Sequence, residues 1–195
     1  MFIPVMKKRI LFILLLGTSQ WSVAQLTVTI DWYHGNDNNH TDTIHYDMNR
    51  KLVWTDFKGI PDQHSAAAAI TESGFGYRMA MNSVNNKVNL VITVFCYFNK
   101  RKSWVKRKMD TEYALTHEQH HFDITYINTC SFIQKLKAAN FTAANYARLV
   151  DSIYDECYES LRTMQDDYDG QTSNGRLKNI QASWNTKIDR MLSLL

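Results

Sequence analysis

The sequence predicts an α+β fold: a small antiparallel sheet that includes a β-hairpin, packed against three long helices. Two observations carry this. Apolar residues alternate at period two through residues 75–98, and from Met109 onward their spacing turns helical, with no proline or glycine between Tyr77 and Asp169. The 195 residues are expected to divide at residue 24 into a leader and a single domain spanning 25–195.

Residues 1–24 read as a cleaved signal peptide. Lys7, Lys8 and Arg9 give a positive start, Ile10 to Leu16 an apolar core, and Ser22-Val23-Ala24 the small residues before a cleavage site. The apolar stretch is too short to span a bilayer, which takes about 20 residues. The chain is therefore expected to be exported, to the periplasm or beyond the cell, with no transmembrane segment after cleavage. The formal net charge is +3, and those three leader residues account for it. A near-neutral remainder gives no reason to expect nucleic acid as a partner.

Leu26 to Trp32 reads as a strand, and Thr43 to Tyr46 as another running on to Leu52-Val53-Trp54, with the polar loop Gly35-Asn36-Asp37-Asn38-Asn39 between them. The hairpin follows. Phe75, Tyr77, Met79 and Met81 face Val88, Leu90, Ile92, Val94, Cys96 and Phe98 across a tight link at Asn85-Asn86. The basic run from Lys100 to Lys108 reads as a solvated connection, and its single Trp104 is too little for a base-stacking platform. Helices are expected over about 110–138, over about 142–165 with Thr142 as N-cap, and over about 177–194. Cys96, Cys130 and Cys157 are an odd number, so a complete disulfide framework within one chain is excluded. A Cys130–Cys157 bridge stays open for an oxidising compartment.

The chemistry sits in His117-Glu118-Gln119-His120-His121. His117 and His121 lie four apart on a helix, so their imidazoles project from one face and can reach one Zn2+ ion at about 2 Å. Glu118 stands roughly 100° round the same turn, placed to act as general base on water without ligating the metal. HExxH fixes only three positions and also arises by chance. Export, a mid-helix position and the apolar side formed by Leu115, Phe122, Tyr126 and Ile133 favour a metal site. His120 and His64 read as ordinary polar residues. Glu156, at the edge of the second helix's apolar stripe, is a candidate third ligand, with a solvated charge as its alternative.

Trp54-Thr55-Asp56-Phe57, Gly59, Pro61-Asp62, Ala69-Ile70-Thr71, Ser103-Trp104-Val105 and above all His117 to Ile124 resemble an uncharacterised bacterial family of predicted secreted zinc-dependent proteases of the zincin type. The resemblance continues through Tyr168-Asp169, Thr172, Gln181 and Trp184. It implies a zincin-like fold, His117 and His121 as zinc ligands, Glu118 as catalytic base, and a peptide or protein substrate. In that family a Glu follows Tyr-Asp two positions on, and a His precedes the glycine. This chain has Gln171 and Asn174 there, ahead of Gly175. The third ligand is then Glu156, Asp169 or Asn174, or the site is degenerate. Two readings follow: a secreted zinc metallopeptidase, in which metal-activated water attacks a peptide or amide carbonyl, and a catalytically inactive zincin-fold binding or structural module. A surface adhesin-like domain, suggested by Trp32 and Tyr33 beside the Asn-rich loop, is a weaker third.

Overall fold

The computed structural model describes residues 25–35, 41–84 and 87–195. The signal-peptide expectation, most of the Asn-rich loop and the hairpin link at Asn85-Asn86 lie outside them. Among the described residues no helix is long and apolar enough to cross a membrane.

The chain is α+β. Its main sheet is built on one long strand, β5 (Lys87–Asn99), which hydrogen-bonds on both edges. The hairpin partner β4 (Ser73–Val84) runs antiparallel along one edge, with Phe75 opposite Cys96 and Tyr77 opposite Val94. The other edge is shared. The short strand β2 (Thr43–His45) pairs antiparallel with the end of β5, and β1 (Gln25–Trp32) pairs parallel with its beginning. The sheet is thus mixed, not antiparallel as expected. Parallel pairing needs a long crossover, and the stretch that contains β2 and β4 supplies it. The register sets Val28, Ile30 and Trp32 beside Leu90, Ile92 and Val94, so both strands give their apolar side to one face. Two further strands, β3 (Ala69–Ile70) and β6 (Trp104–Val105), form a separate antiparallel pair.

The expected strand through Leu52-Val53-Trp54 does not form. Asp47 accepts from the backbone of Asn49 and Arg50 and ends β2's excursion in a turn. The Leu52 N–H then donates to Gln119 Oε1 (2.7 Å) instead of to a strand, and Trp54–Asp56 is a single 3-10 turn closed by the Arg50–Asp56 pair (3.0 Å). Trp32 is not an exposed aromatic either: it is half-buried and packs edge-on to Tyr126 (5.6 Å).

α1 (Glu112–Ala138) is capped by Thr111, whose hydroxyl accepts from the Ala114 N–H (3.1 Å). It lies across the sheet, with Phe132 against Phe75 (5.6 Å) and Phe122 against Phe98 (5.9 Å). α2 (Tyr146–Thr172) covers it on one side with Val150, Ile153, Cys157 and Leu161, and α3 (Lys178–Leu192) covers it on the other with Trp184 and Ile188. α2 begins at the Asn145 cap, not Thr142, and runs two turns past its expected end at Gln165. Those turns stay helical because Tyr168 is fully buried between α1 and α3, although acidic residues surround it. All three cysteines are free thiols, so the Cys130–Cys157 bridge is absent here.

Candidate metal centre

α1 is enclosed on most sides, and His117, Glu118, Gln119, His120 and Asp123 are all buried. Buried polar groups need partners, and the partners of the two histidines define the site. His117 Nδ1 meets Gln181 Oε1 at 2.9 Å. The Gln181 amide nitrogen is committed to the Tyr168 hydroxyl and to Asn185 Oδ1, so its oxygen must face the imidazole. The same logic holds at His121. Its Nδ1 donates to Gln165 Oε1, while Gln165 Nε2 donates to the His121 carbonyl (2.9 Å) and Thr125 Oγ1 (3.3 Å). Two glutamines thus place an N–H on Nδ1 of each ring and turn both Nε2 atoms into the site, as lone pairs when a ring is neutral and as N–H donors to Asp169 when it is protonated.

Those nitrogens converge. The two Nε2 atoms are 3.2 Å apart, and each lies 3.1 Å from Asp169 Oδ1 on the extended end of α2. Tyr168 stacks on the His117 ring (4.7 Å) and meets His121 edge-on (5.0 Å). Gly175 closes the other side with φ of +76°; a Cβ there would stand 3.3 Å from His117 Nδ1 and in a conformation side chains avoid. His117, His121 and Asp169 form a group able to hold a metal ion.

Electrostatics follow from this closeness. Burial acts to raise Asp169, but the hydrogen bonds from His117 and His121 outweigh it and hold the carboxyl well below its usual range. Burial acts to lower His121; the bond to Asp169, the Glu118 charge and Gln165 reverse that and push it up to about 9. Without an ion, the cluster holds a proton that a metal would have to displace.

Glu118 lines the same cavity, about 640 Å3 in volume and open to solvent between α1, α2 and β3. Its Oε2 is buried with no hydrogen-bond partner among the described residues. An unsatisfied buried carboxylate oxygen is costly, and such cost is tolerated where the group acts on something else.

The other candidates separate cleanly. Asp169 joins the histidines. Glu156 does not: it is exposed and paired with Lys135 Nζ (2.6 Å), the solvated-charge alternative. Asn174 lines the cavity but is not one of the converging atoms. His64 is exposed outside the site, and His120 is buried beside Tyr168, near Asp189, but is not one of the converging ligands. The sequence reading missed Gln165 as a partner of His121. The signal was its spacing, one turn before Asp169 on the same face of α2.

Set against known proteins, the chain matches no family model, no curated protein and no solved structure.

Proposed function

We propose that the protein is a zinc-dependent metallopeptidase of zincin type that acts after export, with His117, His121 and Asp169 as metal ligands and Glu118 as general base. One observation carries the reading: the three converging atoms lie 3.1–3.2 Å apart. Ligands about 2.0–2.1 Å from one tetrahedral zinc ion stand roughly 3.3 Å from each other, and two imidazoles with one carboxylate are a familiar catalytic donor set. When bound, zinc supplies Lewis acidity, polarising a carbonyl and lowering the pKa of water. The protein's own groups do the rest. Gln165 and Gln181 hold the imidazoles in the ligating tautomer. Glu118, which lines the cavity, takes the proton from the attacking water and returns it to the departing amine.

A peptide fits the cavity's wall. β3 pairs with β6 on one side only, and residues 67–71 line the cavity. The Lys106 N–H bonds to Ala68 O, so by antiparallel alternation the backbone N–H and C=O of Ala69 point away from β6. An extended chain could add there as a strand.

The competing reading, a metal-free binding or structural module, draws on the fact that Asp169 already satisfies both imidazoles. Zinc per protein decides between them, measured on residues 25–195 beside Glu118→Ala, His121→Ala and Asp169→Ala. One zinc retained in Glu118→Ala and lost in the other two is the expected pattern, with peptide hydrolysis lost in all three. Absence of zinc from the unaltered chain after incubation with the ion overturns the peptidase.

A further inference from the structure

Ser173, Asn174 and Gly175 follow α2 with φ of 52°, 51° and 76°, three left-handed residues in a row. Side chains rarely adopt that conformation, and two adjacent non-glycine residues in it must be held there. The Asn174 N–H donates to Asp169 O (2.8 Å), the Gly175 N–H to Thr172 Oγ1 (3.1 Å), and the Tyr113 hydroxyl to Gly175 O (2.5 Å). Tyr113 lies one turn before His117, so the helix carrying the histidines also grips this connector.

The grip places Asn174 on the cavity wall with His117, Glu118, His121 and Asp169. Its side chain is exposed, and among the described residues its carboxamide has no hydrogen-bond partner. Thr71, Ser73 and Gln165 on that wall are committed elsewhere, to Glu118 O, Thr125 and His121, and the Tyr158 hydroxyl offers a single polar atom. Arg162 and Arg176 offer donors only, and Asp166 acceptors only. A carboxamide offers both in one plane, the complement of a peptide unit.

We propose that Asn174 is a substrate-binding residue, its NH2 donating to a main-chain carbonyl and its oxygen accepting from a main-chain N–H beside the bond presented to Glu118. The proposal takes its ligand class from the peptidase reading. A purely conformational role is the alternative, since asparagine and glycine are the residues that tolerate such a cap. Asn174→Gly separates the two, because it keeps the backbone and removes the amide.

The probe is fluorophore-labelled oxidised insulin B chain, its binding followed by anisotropy on a Glu118→Gln background so that no turnover intervenes. Asn174→Gly is expected to weaken binding about 5- to 10-fold, the worth of one or two hydrogen bonds, with zinc content and Tm unchanged. Asn174→Asp, which has the shape without the donors, should weaken it as well. Equal binding in the parent and Asn174→Gly overturns the proposal, as does no binding in the parent, or a loss that tracks loss of zinc. Peptide binding that depends on Asn174 in a chain holding no zinc upholds this residue's role while removing the peptidase. Zinc held with binding indifferent to Asn174 does the reverse.

Discussion

His121 and Asp169 bind protons in opposite senses to their free forms, and each sets one edge of a pH window for the metal-free protein. His121 is raised from 6.5 to about 9, so its contribution to stability is complete below pH 6.5 and lost as pH rises through 9. Asp169 is lowered from 3.8, so its contribution is complete above that value and lost as pH falls through its own depressed value. The metal-free chain should therefore melt highest between about pH 4 and 6.5. At the proposed zinc site the slope reverses, because the ion would compete with the His121 proton. Its apparent affinity should rise about tenfold per pH unit from 6 to 8, read by chelator competition; a flat profile would place His121 outside the ligand set. Gln165→Ala leaves the His121 Nδ1–H without its acceptor, and zinc affinity should fall about 10- to 100-fold with folding intact.

α1 and α2 meet their demands at opposite ends of the scale of sequence legibility. His117, Glu118 and His121 could be placed from spacing alone, since one helix fixes their relation. Asp169 could not be singled out, because the last turns of α2 hold one buried apolar residue, Tyr168, among acids. Helical spacing needs several apolar positions to show. Gly170, next to Asp169, is a weak point of that segment: a Cβ there meets nothing within 4 Å. Gly170→Ala should raise stability by about 0.5–1 kcal/mol, measured by urea unfolding, without loss of zinc. Phe132, fully buried between α1 and the sheet, has the opposite expectation; Phe132→Ala should cost about 3–5 kcal/mol by the same measurement.

The whole molecule joins a hairpin that is local in sequence to a parallel strand that is not. Alternation at period two revealed β4, β5 and β1, yet said nothing of which neighbour β1 would choose, because pairing partners leave no trace in one strand's own pattern. Two-residue strands such as β3 and β6 are too short to show alternation at all. Burial sets the reactivity of the thiols. It pushes Cys130 and Cys157 up and Cys96 further still, which disfavours the reactive thiolate at all three. Alkylation followed by mass spectrometry should find three free thiols, with Cys96 and Cys157 modified only after denaturant is added.

Gln25 to Trp32 pairs with Lys87 to Val94, and this fixes an order of events during synthesis. A ribosome delivers β1 first, but the strand that completes it comes out only after β2, β3 and β4 have passed. Until then a row of eight residues is an open edge, able to zip onto any other nascent chain. β1 therefore waits for its partner until residue 94 has appeared, and a holding chaperone would be most useful between the appearance of residue 32 and that of residue 94.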